Sequence, residues 1–591
     1  MKNKFKIGNS TLNNRPVYFT EDDLKAHKMV TGGTGRGKSK LIEVFVRQHL
    51  RRNEGALILD PHGFLYEDIL SYASAFGYRN KLITIDPNET EYAVGLNFLD
   101  NPWLDDAALA SQVMKAIAKV FGQSEGDVLP RLERWQRNLL MSLIAARLTL
   151  ADMLDFLSTS NPLYRQAALS HVQNPYVKNE WLGFDALKKR TDMENLIEAP
   201  LNRAAKMIMS DPIRRIIGQD QSTVNISKAI EKGKVILVNL APKRVSRECQ
   251  QILGILLIDQ VVNYAFQRSK RNAKKRPFYV IVDEAAELTS NDLPYALQAL
   301  RKYGIFFTLC FQTLAQTKKI PGYYENLMSN TDIKVAFKSS RADAEELIGE
   351  LFAGRITGRI VKDELYRTLL IPQESMREVI SEAAMESESE GISESSGDSF
   401  SNGYGSGSGY SFNRGLSETM VPDSDLFGGD NVVSHNDSFS FGMTDSEFSS
   451  SSSGYFNSQS KTKSSSKGRS ISRSVVPFYE YLHQQELANR QYYTIEEIKE
   501  KYIAWVMCQP MRHAQIRIGD NKTIPILTAL VEDVRAREKD RRKLIERSNQ
   551  QYAIPAKEVD KLIEDRRIAL LEHPKIKAQK FEEEIKNARW Q

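Results

Sequence analysis

One stretch of this chain has the residue types and spacing needed to bind phosphate groups. Residues 32–39 fit the pattern G-x-x-x-x-G-K-[ST], after a short strand pattern at Lys28–Thr31 and before the apolar face of a helix. The glycines let the backbone fold around phosphates and direct N–H groups at them, at the positive end of that helix. The predicted phosphate-binding residues are Gly32, Gly33, Thr34, Gly35, Arg36, Gly37, Lys38 and Ser39. We expect Lys38 to reach the β- and γ-phosphates of ATP, and the Ser39 hydroxyl to hold Mg²⁺.

Two acidic residues follow a second strand pattern. Five apolar residues at 278–282 are bounded by Pro277 and a charge, which is typical of a strand buried on both faces of a parallel sheet. Such strands present functional groups at their carboxyl ends, as the strand before a phosphate loop does. We therefore expect Asp283 to lie beside the Mg²⁺ held by Ser39, and Glu284 to polarise an attacking water. This pair indicates hydrolysis, not transfer to a small acceptor.

A third strand pattern ends in a polar amide. Residues 303–311 precede Gln312 and follow the basic pair Arg301-Lys302. Gln312 at a strand end is suited to sensing the γ-phosphate and positioning water. Arg301, at the end of a predicted helix, is a candidate to serve the site of a neighbouring subunit or to link nucleotide state to movement. The alternative for Arg301 is an ordinary surface arginine.

The segment Asp60-Pro61-His62-Gly63 also lies at the carboxyl end of a predicted strand. Its position places Asp60 and His62 near the nucleotide in one interpretation. In the other, favoured for His62, the four residues only shape a turn.

Composition limits the classes of function. The 81 basic and 75 acidic residues give a net charge of +6, so charge alone does not argue for nucleic-acid binding. Three widely separated cysteines without a C-x-x-C pair predict neither a metal site nor disulfides, as expected in the cytoplasm. No apolar run approaches the ~18–20 residues that span a bilayer. We expect a soluble cytoplasmic protein without a transmembrane segment, with attachment to the inner face of the cell membrane as an option.

The pattern along the chain predicts an α/β fold: a phosphate-loop sheet of mostly parallel strands, interrupted by an all-helical insertion. Residues 391–474 hold 27 serines in 84 positions, a composition that predicts disorder. Charged residues of both signs dominate the C-terminus, which favours a solvated helix over a nucleic-acid-binding patch. The predicted segments are the first part of the ATPase domain (1–103), the helical insertion (104–232), the second part of the ATPase domain (233–385), the disordered segment (386–474), a return to the ATPase domain (475–530) and a charged helical tail (531–591).

Taken together, these motifs resemble the HerA–FtsK superfamily of ring-forming, DNA-pumping ATPases, and most closely the conjugative coupling proteins of type IV secretion. The resemblance covers about 20–340 and 476–530. It rests on the motifs above, on Gly95-Leu96-Asn97, on the strand at 234–240, and on Arg301-Lys302-Tyr303-Gly304 between the acidic pair and Gln312.

The resemblance implies a RecA-like fold, a homohexamer, ATP bound between subunits, and DNA drawn through a central pore. The DNA would be single-stranded and bound independently of its sequence, with a relaxase and secretion-channel proteins as further partners. Coupling proteins usually carry N-terminal transmembrane helices, which are not evident in this sequence. The lysine that would assist a neighbouring subunit stays open between Lys318, Lys319 and Lys334.

Three functions remain open from the sequence. The first is an ATP-driven DNA translocase in conjugative transfer. The second is a soluble HerA-like pump that works with a nuclease in DNA processing or defence. The third is a secretion ATPase that moves protein and does not bind DNA.

Overall fold

The computed structural model describes residues 4–121, 130–268, 276–319, 321–356, 360–384 and 469–572, together with four short strands between 399 and 454. Among the described residues, contacts divide the chain into two units. The first unit comprises Met1–Thr357 and Ile495–Gln591, and the second comprises Gly358–Thr494.

The described residues contain nineteen strands. They are β1 Phe5–Ser10, β2 Pro16–Phe19, β3 Lys28–Thr31, β4 Gly55–Asp60, β5 Leu82–Ile85, β6 Tyr92–Ala93, β7 Val235–Asn239, β8 Phe278–Val282, β9 Ile305–Phe311, β10 Ile333–Ala336, β11 Val361–Ala384, β12 Ser399–Gly405, β13 Gly415–Thr419, β14 Ser434–Ser438, β15 Phe448–Gly454, β16 Arg469–Tyr492, β17 His513–Ile518, β18 Ile524–Thr528 and β19 Ile554–Pro555.

The same residues contain nineteen α-helices and short 3₁₀ turns at Leu150–Asp152 and Leu314–Lys319. The helices are α1 Glu21–Leu24, α2 Lys38–Arg51, α3 Phe64–Ala75, α4 Asp106–Val120, α5 Pro130–Ala145, α6 Met153–Leu157, α7 Leu163–Leu169, α8 Pro175–Asp185, α9 Arg190–Ile208, α10 Asp211–Ile217, α11 Ile226–Lys232, α12 Arg247–Arg268, α13 Ala285–Leu288, α14 Leu293–Lys302, α15 Tyr323–Asn330, α16 Arg341–Ile356, α17 Ile495–Met507, α18 Glu538–Tyr552 and α19 Ala556–Glu572.

The first unit is built on one 11-stranded sheet in the order β2-β1-β18-β17-β10-β3-β9-β8-β4-β7-β5. The seven strands from β10 to β5 run parallel. The remaining four extend the sheet as antiparallel strands. The expected RecA-like α/β fold with a helical insertion is confirmed, and β17 and β18 from the C-terminal part of the chain complete the sheet.

Burial explains why these segments form central strands. Every residue of β3, β4, β7, β8 and β9 is buried, as expected where helices cover both faces of a parallel sheet. His27 fixes three elements inside this core: its Nδ1 accepts from the Phe307 N–H at 2.9 Å, and its Nε2 lies 2.7 Å from the Leu297 carbonyl. Burial lowers the pKa of His27 to about 4, so the imidazole is neutral and its Nε2–H donates to Leu297.

All eight helices from α4 to α11 lie between β6 and β7, as the predicted insertion requires. Trp181 anchors them, because it is fully buried and meets Trp135 and Phe156 edge-on, with ring centroids 5.0 and 4.9 Å apart. Arg165 is equally buried and is satisfied by Asp185 and by the carbonyl of Phe156. A continuous aromatic and aliphatic core therefore holds the insertion together.

The second unit corrects the expected boundaries at 385 and 475. β11 pairs with β16 in an antiparallel ladder from Val361↔Tyr492 to Ala384↔Arg469, and neither strand joins the main sheet. The first unit therefore breaks off at Thr357 and resumes at Ile495. The strands β12 with β15 and β13 with β14 pair in the same nested way within the serine-rich segment. The rest of that segment, for which disorder was predicted, lies outside the described residues.

The C-terminal segment is helical as predicted, but it is docked, which corrects the expectation of a solvated tail. Leu544 of α18 is buried in the main core, and the Ser548 hydroxyl accepts from the Thr84 N–H at 2.9 Å. In α19, Asp560 binds Arg215 through two hydrogen bonds of 2.9 and 2.7 Å. Charged residues of both helices therefore pair with other elements, namely Asp540, Arg541, Asp560, Arg566 and Arg567. We call Glu538–Tyr552 and Ala556–Glu572 together the C-terminal arm.

None of the helices in the described part of the chain is long and apolar enough to span a membrane.

We predict that residues 362–491 can be removed without loss of the first unit. The Tyr493 N–H donates to the Ile360 carbonyl at 3.0 Å, so a short Gly-Ser linker can close the gap. Changing the length of such a connection costs little, ~0.6 kcal/mol per doubling, so the melting temperature should stay within about 2 °C. The control is a chain that ends at 357, which loses β17, β18 and the C-terminal arm. If this shorter chain melted like the full one, the assignment of 495–572 to the first unit would be wrong.

Candidate functional site

The phosphate loop connects β3 to α2 and is shaped by three glycines. Gly32, Gly35 and Gly37 have φ values of 149°, 73° and 110°, which residues with a side chain rarely adopt. A Cβ on Gly32 would also lie 2.6 Å from the Cβ of Phe337. The Lys38 ammonium donates to the carbonyls of Gly32 and Gly33, so its charge lies at the loop. The loop thus brings backbone N–H groups and one cation together, as phosphate binding requires.

A candidate metal position lies between α2 and the end of β8. The Ser39 hydroxyl donates to Asp283 Oδ2 at 3.4 Å, while Asp283 Oδ1 is buried without a hydrogen-bond partner. Burial, and next the carboxylates of Glu284 and Asp60, raise the pKa of Asp283 to about 6. A cation would offset this cost and use the unpaired oxygen. Hydroxyl and carboxylate oxygens are ligands that Mg²⁺ accepts, so the residues present fit the predicted ion.

Glu284 adopts a backbone conformation that is rare for its residue type. Its φ and ψ are 58° and 54°, and its side chain is only 8% exposed. The Gln312 amide donates to Glu284 Oε1 at 2.6 Å. His62 Nε2 lies 3.8 Å from the same oxygen. The structure therefore brings the predicted pair Glu284 and Gln312 together and adds His62 to them.

The order of the strands in the sheet explains why Glu284, Gln312 and His62 lie close together. β3, β9, β8 and β4 are consecutive neighbours in the sheet, so their carboxyl ends lie side by side. These ends carry, in turn, the phosphate loop, Gln312, the pair Asp283-Glu284 and the segment that begins at Asp60. The carboxyl ends of these four strands therefore carry a continuous row of phosphate-binding, amide, acidic and imidazole groups.

A polar cavity of 390 Å³ adjoins Glu284. His62, Gln312, Gln250 and Gln251 line it, and so does Glu287. Gln250 is 1% exposed, and its Oε1 has no hydrogen-bond partner. A cavity with these polar walls is suited to hold water beside the acidic pair.

Arg301 does not join the other predicted residues within the chain. It lies in the last turn of α14, just before β9 begins at the amino end of the sheet, and it pairs there with Asp332. The phosphate loop lies at the opposite, carboxyl edge, because β3 and β9 run parallel. Its predicted role in a neighbouring subunit stays a prediction.

Two contacts of the phosphate loop were missed by the sequence analysis. The Arg512 N–H donates to the Arg36 carbonyl at 3.0 Å, and the Gly33 N–H donates to the Lys338 carbonyl at 2.9 Å. Arg512 itself has a φ of 68°, a left-handed conformation. Arg512 therefore supports the phosphate loop from a part of the chain far away in sequence. A local motif could not have revealed this contact.

Comparison with protein families gives two matches. The family model described as "Helicase HerA, central domain" matches residues 5–260, and the model described as "TraM recognition site of TraD and TraG" matches residues 277–357. No curated protein sequence matches the chain significantly. The two models confirm the resemblance to type IV secretion coupling ATPases of the HerA–FtsK group.

Solved structures with a loose likeness include the bacterial conjugative coupling protein TrwBΔN70 in an unbound form, at 14% identity, 90% coverage of each chain and a TM-score of 0.43. TrwB in complex with ADP and Mg²⁺ matches at 19% identity, covering 58% of this chain and 78% of that one, with a TM-score of 0.38. VirB4 of Thermoanaerobacter pseudethanolicus matches at 13% identity, with coverage of 58% and 86% and a TM-score of 0.36. Likeness at this level does not transfer individual residues.

We predict that Gly32→Ala destabilises the protein more than Gly35→Ala. Both changes place a side chain at positive φ, which costs about 1–2 kcal/mol. Only Gly32→Ala adds the clash with Phe337, worth a further ~1–3 kcal/mol, since nothing lies within 4 Å of a Cβ on Gly35. Urea unfolding of the two variants without nucleotide measures the difference. Equal free energies of unfolding would contradict the described packing of the loop.

Proposed function

We propose that this chain, which resembles the coupling ATPases of the HerA–FtsK group, hydrolyses ATP and uses the free energy to move DNA toward a type IV secretion channel. The observation that carries the proposal is the row of groups at the carboxyl edge of the sheet. Ser39 and Asp283 there meet at 3.4 Å, and Glu284 lies beside them with Gln312.

In the binding step, the N–H groups of residues 32–39 surround the phosphates of ATP, and Lys38 neutralises the β- and γ-phosphates. Ser39 and Asp283 would hold Mg²⁺, which supplies positive charge to the phosphate oxygens. Although burial raises the pKa of Asp283 to about 6, this value still lies below neutral pH. The carboxylate is therefore mostly ionised and ready to bind the ion.

In the hydrolytic step, Glu284 accepts a proton from the attacking water and directs its lone pair at the γ-phosphorus. Gln312 donates a hydrogen bond to Glu284, so a change at the γ-phosphate that Gln312 senses is transmitted to Glu284. The adjoining polar cavity supplies a place for the water. The products are ADP and phosphate.

The DNA partner is supported by the matches to the helicase HerA and TraD/TraG family models. The resemblance further supports a homohexameric ring that draws a single strand through its pore, with a relaxase and secretion-channel proteins as partners. Arg301 is a candidate to act across the subunit interface, because half of its side chain is exposed and it lies away from the site of its own chain.

A second candidate function is a HerA-like DNA pump that works with a nuclease. The match of the HerA central domain over residues 5–260 favours it. The two candidates differ in preference for single-stranded or duplex DNA and in the protein partner.

We predict that Lys38→Ala abolishes ATP binding, whereas Glu284→Gln retains binding but lowers turnover by roughly 10²–10⁴-fold. Lys38 contacts phosphate in the ground state, while Glu284 acts only on the water. Phosphate release and binding of a fluorescent ATP analogue are the two measurements. Glu287→Gln is the matched control, because this residue lies on the same cavity but binds Arg247. Wild-type turnover in Glu284→Gln would refute the role of Glu284.

We predict that DNA binding is independent of sequence and weakens steeply with salt. A pore that passes any strand contacts phosphates, so log K should fall with log salt by about 0.7 per contacted phosphate for single strands and 0.9 for duplexes. Filter binding across a salt series, with both forms and unrelated sequences, measures the slope and the preferred form. ATPase activity without binding to either form at low salt would favour a protein-secretion ATPase.

A further inference from the structure

The loop that carries His62 is held firmly by a buried carboxylate. Asp60, at the end of β4, is 1% exposed and accepts hydrogen bonds from the His62 N–H at 2.9 Å and the Tyr66 N–H at 2.8 Å. Gly63 then turns at a φ of 81° to start α3. The backbone of His62 is therefore fixed between a buried strand and a helix, although its side chain is half exposed.

The Glu284 carboxylate is confined by its backbone and by Gln312. A non-glycine residue in a left-handed conformation carries a cost that the surroundings must offset, and such residues cluster at functional sites. Gln312 holds one side of Oε1 at 2.6 Å. On the same oxygen, His62 Nε2 lies 3.8 Å away.

The surroundings of the imidazole are acidic. Its contact with Glu284, followed by the charges of Asp283 and Asp60, raises the pKa of His62. The imidazole also lines the polar cavity together with Gln312 and Glu284. A surface histidine that only shapes a turn would not need to face this cavity.

We propose that His62 is a positioning residue for ATP hydrolysis, which holds the Glu284 carboxylate toward the water cavity in concert with Gln312. The role rests on the proposed ATPase function. His62 follows β4, Glu284 follows β8 and Gln312 follows β9, so three neighbouring strands fix one carboxylate. Without the imidazole, the hydrogen bond from Gln312 is left to orient the Glu284 carboxylate, which then samples unproductive directions.

The test compares His62→Ala with His62→Gln in the full-length protein. His62→Ala should lower kcat roughly 10- to 100-fold, the cost of a misplaced catalytic group, and leave KM for ATP within about twofold. Since the amide nitrogen of glutamine reaches the position of Nε2, His62→Gln should recover most of the kcat. His171→Ala, an exposed histidine of the helical insertion, is the matched control and should behave as wild type.

Binding of the fluorescent ATP analogue and the melting temperature separate this role from a structural one, because neither should change in His62→Ala. A kcat in His62→Ala equal to that of the wild type would overturn the role of His62 but leave the proposed function standing. A lowered kcat that glutamine does not recover, with a lowered melting temperature, would also overturn it. A wild-type protein without ATP turnover would overturn the proposed function and this role with it.

Discussion

Parallel hydrogen bonding between β3, β9, β8 and β4 is the constraint on which the site depends. The register pairs Thr31 with Phe311, Leu309 with Val282, and Val282 with Leu59, so the four strands end nearly level. A slip of one residue would move an end group by about 3.3 Å and turn its side chain to the other face. The 3.4 Å contact of Ser39 with Asp283 exists only in this register.

The sequence predicted the parts of the site that depend on local patterns. The phosphate loop, the acidic pair and Gln312 each follow a short apolar run, and parallel strands carry such groups to one edge. Nothing local links Arg512 to the loop, because the contact joins residues more than 470 positions apart. The exclusion of β11 and β16 from the main sheet was missed for a similar reason, since strand patterns do not state their partners.

The charge pattern of the C-terminal arm shows a further limit of sequence. Mixed acids and bases predict a solvated helix unless their partners are known. Here Arg541 pairs with Glu67 of the sheet domain, whereas Asp560 pairs with Arg215 of the helical insertion. Arg566 also reaches Asp152, which is 3% exposed, and breaking such a buried pair costs more than breaking a surface one. The arm therefore links the insertion to the sheet domain.

Because the first unit is built from two separate parts of the chain, the order in which its sheet can form during synthesis on the ribosome is also set. When β10 leaves the ribosome, the strand that will cover its open edge is still about 180 residues away, and β1 is separated from its partner β18 by more than 500 residues. Arg512, which supports the phosphate loop, is made in the same late stretch. A nascent or prematurely terminated chain therefore lacks a finished nucleotide pocket, and only chains translated through β18 carry the complete sheet.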